Sequence, residues 1–131
     1  MSAGLLDTSV VIDWHDDLVV RALPDEVAVS AVTLAELAAG PHLAPTRVEA
    51  GRRQARLQEV ESRLEPIPFD AAAARSYGQL VAAATTAGRK HRRRIADLLI
   101  AATAHANGLD LYTRNPDDFV GLDGLITVVG I

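Results

Sequence analysis

Residues 95–104 read IADLLIAATA and are apolar, or nearly so, on every side of a helical wheel except at Asp97. A helix with no polar face has to be covered all round, so the chain must build layers around it. The neighbouring segments supply them. Ala3 to Leu6 is a short apolar run that fits a buried strand ending at Asp7, and Thr8 to Trp14 begins a helix. Val27 to Val29 is a second strand candidate, after the Pro24-Asp25 turn signal. Ser30 can cap a helix over AVTLAELAA that stops at Gly40-Pro41. A charged amphipathic helix is expected over Pro45 to Leu64, with Val48, Ala55, Leu57, Val60 and Leu64 on its inner side.

Pro66-Ile67-Pro68-Phe69 reads as an extended connector or edge strand, because its prolines cannot serve a central ladder. Asp70 caps an Ala-rich helix running to about Ala87 and ended by Gly88, and the helix containing Asp97 is expected over His91 to Asn107, closed by Gly108. Leu109 to Thr113 returns as a strand, Asn115-Pro116 opens a turn or short helix, and Ile126 to Val129 is the last strand. This alternation predicts a parallel sheet with helices on both faces. No linker interrupts it, so residues 1–131 read as one domain.

Composition narrows the chemistry. Apolar residues make up 49% of the chain and charged ones 23%, enough for a real core and against disorder. The absence of cysteine excludes disulfides, thiolate metal sites and cysteine nucleophiles. No apolar run reaches the roughly 18 residues of a bilayer span, and Met1 to Leu6 has no basic residue, so neither a membrane anchor nor a secretory signal is expected and the expected location is cytoplasmic. The net charge of −4 argues against a protein coated in positive potential, yet RKHRRR at 89–94 is a local basic run.

Asp97 is not the only acid in apolar surroundings. Glu36 is the sole charge in AVTLAELAA, and Asp7 stands at the carboxyl end of the first strand, the edge where open parallel sheets bind ligands. Each has an ordinary structural explanation. Asp7 could cap the next helix, Glu36 could face solvent, and Asp97 could pair with Arg93 or Arg94 one turn before it. Together these explanations weaken, because buried carboxylates must be paired, protonated or bound to metal. If the three meet, repulsion raises at least one pKa unless a cation is present. Oxygen ligands without histidine or cysteine suit Mg²⁺ or Mn²⁺, which is common equipment for chemistry on phosphates. The four histidines show no zinc-ligand spacing. YTRNPDDF should emerge at the same edge, where Asp118, and less readily Asp117, is a fourth candidate. Ordinary helix-start grammar also explains that segment, with Asn115 as the cap and Pro116 in the first position.

LLDTSVVID, SAVTLAELAAG, RIADLLIAATA and LYTRNPDDF, in that order, resemble the PIN-domain ribonucleases, and more narrowly the VapC toxins of bacterial toxin–antitoxin pairs. The resemblance covers essentially the whole chain. It implies a three-layer α/β/α fold with a central, mainly parallel sheet, and a Mg²⁺- or Mn²⁺-dependent endoribonuclease inhibited by a VapB antitoxin. By position, Asp7, Glu36 and Asp97 match the family acids, and the fourth falls on Asp118, although many PIN domains place it where this chain has Asn115. Ser9 and Thr113 match hydroxyl positions that support the site.

Basic groups at a helix N-terminus are unfavourable for its dipole, so Arg92, Arg93 and Arg94 are candidates for contacting RNA phosphates, or for holding an active-site carboxylate. The arginines of the 45–64 helix alternate with Glu49, Glu59 and Glu61 and read as a surface or an antitoxin-facing clamp. A homodimer is expected, and for a toxin of this kind transfer RNA and ribosomal RNA are both candidate targets. The non-enzymatic alternative is an inactive PIN-like module that binds only RNA or protein. A haloacid-dehalogenase-type phosphotransferase needs a second Asp where Ser9 stands, and a receiver domain needs paired acids and a late lysine, whereas the only lysine is Lys90.

Overall fold

The computed structural model describes residues 2–88 and 94–131. Four parallel strands, β1 (Ala3–Leu6), β2 (Glu26–Ala28), β3 (Asp110–Thr113) and β4 (Val128–Gly130), form one sheet in the order β2-β1-β3-β4. The helices are α1 (Thr8–Ile12), α2 (Asp17–Ala22), α3 (Ala31–Leu43), α4 (Arg47–Arg63), α5 (Ala71–Thr86) and α6 (Ile95–Ala106), and a 3-10 turn spans Pro116–Phe119. Among these described elements the strand–helix alternation read from the sequence is present, and no helix is long and apolar enough to cross a membrane.

β1 is buried from Gly4 onward, as a strand covered on both faces must be. Successive side chains point to opposite faces, so Leu5 and Leu6 enter two different cores. Leu5 and Leu111 pack with Leu80 and Ala84 of α5 and with Leu98, Ile100 and Ala101 of α6. Leu6 packs with Val10, Val19, Leu37 and Val60, carried by α1, α2, α3 and α4. Helices therefore cover both faces, giving three layers. The all-round apolar α6 is buried on nearly every side, from Leu98 through Ala104 apart from Leu99. Gly4 pairs with Asp110 across the sheet, and the ring of Tyr112 lies where a Cβ at Gly4 would stand.

Connections leave β1 for β2 on one side, and β3 lies against β1 on the other. The carboxyl ends of β1 and β3 thus flank the point where strand order reverses, where open α/β sheets bind ligands.

Three local expectations differ. The third helix runs through Gly40-Pro41 to Leu43. Pro41 removes only one helical hydrogen bond, in the last turn, and Arg53 Nη1 donates to the Gly40 carbonyl at 3.0 Å. α4 is turned relative to the expected face: Val60 is buried and Leu57 and Leu64 half-buried, but Val48 is 67% exposed and Ala55 is exposed as well. Ala50 and Arg53 occupy the inner stripe instead, with Arg53 tied to Glu49 and to α3. The helix of Asp97 begins at Ile95, with Arg94 as its cap residue, while its expected start at His91 lies outside the described residues.

Candidate functional site

Asp7 is only 6% exposed and stands where β1 ends and α1 begins. Its backbone N–H completes the sheet by donating to the Tyr112 carbonyl at 2.8 Å. The carboxylate does not cap α1. Ser9 Oγ and Thr113 Oγ1 both donate to its Oδ2, each at 2.8 Å. Those hydroxyls are themselves oriented by backbone: the Arg114 N–H donates to Ser9 Oγ at 3.1 Å and the Asn115 N–H to Thr113 Oγ1 at 3.0 Å. With an N–H aimed at each oxygen, each hydroxyl hydrogen is directed to the acid. Among the described residues Oδ1 accepts no side-chain hydrogen bond.

Asp97 lies in the first turn of α6, where the helix dipole favours a negative charge. Its carboxyl nevertheless titrates near 6 rather than 3.8, through burial first and then the negative charges of Asp7, Asp118 and Glu36; the positive charge of Arg94 opposes them only weakly. Burial and like charge outweigh the dipole. Three acids, contributed by a strand end, a helix and the turn after β3, therefore act electrostatically on Asp97 in a second helix.

The other two acids have defined partners. Glu36 is exposed on α3, and its Oε1 lies 2.7 Å from Thr8 Oγ1. Asp118 Oδ1 accepts from Arg94 Nη1 at 2.9 Å, across 24 residues of sequence. Arg94 therefore holds an acid, as one of its two expected roles required, but the acid is Asp118 rather than Asp97. Asn115 contributes its backbone N–H, and its side chain makes no capping hydrogen bond. Arg92 and Arg93, the other two expected RNA contacts, lie outside the described residues.

Sequence reasoning missed Thr8 and Thr33, whose hydroxyls lie 3.0 Å apart beside Glu36. Ser30, Thr33 and Glu36 recur at intervals of three in SAVTLAE, and that spacing could have placed them on one helical face. Arg114 was also missed. Its side chain reaches Asp13 Oδ2 at 3.5 Å beyond the end of α1.

The donor set fits a hard divalent cation in kind: four carboxylates, no thiolate or imidazole, and one acid whose pKa is raised by burial and by the other three. Among the described residues no three acids or histidines stand close enough to hold an ion by themselves. A Mg²⁺-type ion keeps several of its waters and takes only one or two carboxylates directly, so a looser acidic set suits it.

Comparisons with known proteins agree with this architecture. A PIN domain model matches residues 4–125. Ribonuclease VapC5 of Mycobacterium tuberculosis is 41% identical over 129 residues, covering 97% of this chain and 93% of the relative. VapC ribonuclease Y4jK of Sinorhizobium fredii is 37% identical, covering 86% and 80%. Among solved structures, VapBC-5 of the VapBC toxin–antitoxin family from M. tuberculosis superposes with a TM-score of 0.84 at 40% identity, covering 100% of this chain and 98% of that one. FitAcB from Neisseria gonorrhoeae gives 0.76 at 30% identity, with 96% of both chains covered.

Proposed function

The chain belongs to the PIN-domain family, and we propose that, like the VapC ribonucleases among its relatives, it is a metal-dependent endoribonuclease toxin restrained by a VapB-type antitoxin. What supports the metal dependence most directly is the state of Asp97, whose carboxyl is pushed up to about 6 by burial and by three other acids of the same edge. Without a cation those charges oppose one another, and a divalent ion would relieve them.

Asp7 and Asp97 would hold the ion, with Glu36 and the oxygen of Asp118 not engaged by Arg94 available to it or to its waters. A bound Mg²⁺ or Mn²⁺ supplies a water of lowered pKa and neutralises charge developing on a phosphoryl oxygen. The protein's own part is orientation. Ser9 and Thr113 fix the Asp7 carboxylate by occupying Oδ2, so its free oxygen keeps one direction. Arg94 offsets the charge of Asp118 at the same edge, which lessens the repulsion a polyanionic RNA meets there.

Two adjoining clefts of about 400 and 430 Å³ share Ile12 and Arg56, and Glu36 lines the first. Their walls combine Leu37 and Leu43 with Arg52 and Arg53. Glu36, Glu49 and Glu59 line the same clefts, so an antitoxin segment carrying apolar side chains and charges of both signs would match that lining and reach the acids. The substrate proposed is transfer or ribosomal RNA.

The test is cleavage of purified RNA by the full chain, with the new ends sequenced. Products with 5′-phosphate and 3′-hydroxyl ends, formed with Mg²⁺ or Mn²⁺ and lost in EDTA and in Asp7→Asn, are expected. Cleavage that persists in a carefully purified Asp7→Asn sample removes the metal reading. Binding of RNA without any cleavage leaves the inactive-module alternative.

A further inference from the structure

We propose that Thr8 is the positioning residue that sets Glu36 in the acid cluster, through the hydrogen bond its hydroxyl donates from beside the buried cap of α3. The inference rests on the reading of Glu36 as a carboxylate serving the cation. Glu36 is exposed, and a long side chain at such a position ordinarily samples several rotamers. It also has to approach acids that repel it. Something must hold it there, and Thr8 is placed to do so: it directly follows Asp7, and its Oγ1 lies 2.7 Å from Glu36 Oε1, on an element 28 residues away.

An ionised carboxylate only accepts, and Thr8 has one hydroxyl hydrogen to give. Thr8 Oγ1 faces two acceptors, Glu36 Oε1 at 2.7 Å and Thr33 Oγ1 at 3.0 Å, and the shorter, charge-assisted contact holds that hydrogen. Thr33 in turn accepts from Ser30 Oγ at 3.3 Å, and Ser30 Oγ accepts the Thr33 backbone N–H at 3.0 Å. Ser30 and Thr33 are fully buried. The strand-like bridge of Ser30 to Ile67 fixes the backbone at this end, with the Ala31 N–H donating to the Ile67 carbonyl at 2.8 Å. Thr8 thus stands between a rigid, buried cap and the charged group it holds.

The experiment titrates Mn²⁺ alone into the full chain and follows the free aqua ion by electron paramagnetic resonance, so that no RNA or turnover is involved. Thr8→Val keeps the side-chain shape and removes the hydroxyl; its Mn²⁺ affinity should fall about tenfold, the low end for loss of a group that supports a metal ligand. Thr8→Ser, which restores the hydroxyl, should bind within about twofold of the parent, well short of that tenfold loss. Glu36→Gln should lose at least as much as Thr8→Val, and the double variant should be no weaker than Glu36→Gln, because the two act as one unit. Should Thr8→Val lose its far-ultraviolet circular dichroism, Thr8→Ala is read the same way. Full affinity in Thr8→Val alongside a loss in Glu36→Gln overturns the role of Thr8 and leaves the site reading intact. So does a loss that simply adds in the double variant, since Thr8 would then be working through Asp7. Unchanged binding in Glu36→Gln overturns both the inference and the assignment of Glu36 to the cation, which tells the two failures apart.

Discussion

Arg94 and Asp118 are joined by a 2.9 Å hydrogen bond between two groups that are both partly open to solvent. The pair sits where α6 begins and where the chain turns after β3, so it ties together two of the four elements that carry the acids. A partly exposed pair contributes about 0.5–1 kcal/mol. Arg94→Gln should lower stability by about that amount in EDTA, and by less with excess Mg²⁺, when a second cation neutralises the same acids. Urea denaturation under the two conditions measures the difference, and an equal loss in both would separate Arg94 from the cluster.

The raised carboxyl of Asp97 gives a pH dependence of definite sign. Between its ordinary value of 3.8 and its folded value of about 6, the folded protein binds more protons than the unfolded chain. The stability this group contributes is therefore complete below about 3.8 and lost as pH rises through 6. In EDTA, the difference in Tm between the parent and Asp97→Asn should move in favour of the variant from pH 5 to pH 7.5. A difference that stays flat across that window would mean that neither burial nor the other acids raise the Asp97 carboxyl.

Thr113→Val removes one of the two donors to Asp7 Oδ2 and strands the Asn115 N–H that Thr113 Oγ1 accepts. The expected result is a roughly 10- to 100-fold loss of Mn²⁺ affinity, with a stability loss of about 1–3 kcal/mol. Ser9→Ala should behave alike, since it leaves the Arg114 N–H without its acceptor. Calorimetric titration of Mn²⁺ and thermal melts measure the two effects separately. Wild-type affinity in both variants would mean that the orientation of Asp7 does not depend on its hydroxyl partners.

Gly4 lies beneath the ring of Tyr112, close also to Pro24. Gly4→Ala should cost about 1–3 kcal/mol by crowding this contact, and Tyr112→Leu in the same chain should recover part of it. A neutral Gly4→Ala in urea denaturation would show that the ring moves aside freely.

Much of this organisation was legible because burial rules are strong. Asp7 and Asp97 stood out as charges within apolar runs, and a buried carboxylate demands a partner. The capping roles of Ser30 and Asp70 were readable from local chemistry, and both side chains accept the expected backbone N–H. What failed was governed by tertiary contact. The rotation of α4 depends on Arg53 reaching across to the carbonyl of Gly40, which no periodicity in α4 encodes. The choice of Asp118 by Arg94 depends on β3 lying beside β1, which brings the 115–118 turn to the start of α6. The hydroxyls of Thr8 and Thr33 carry no charge, and hence no hydrophobicity anomaly to attract notice.

The order in which the acids occur along the chain has a practical corollary. Asp7 and Glu36 precede the Pro66–Phe69 connector, and Asp97 and Asp118 follow it. Divided at that connector, the chain yields two fragments that each hold half of the carboxylates, while β1 in one and β3 in the other remain hydrogen-bonding neighbours in the sheet. Neither piece holds all four acids, so, if they form the reaction centre proposed above, the chain produced as two halves would cut no RNA until the halves reassociate.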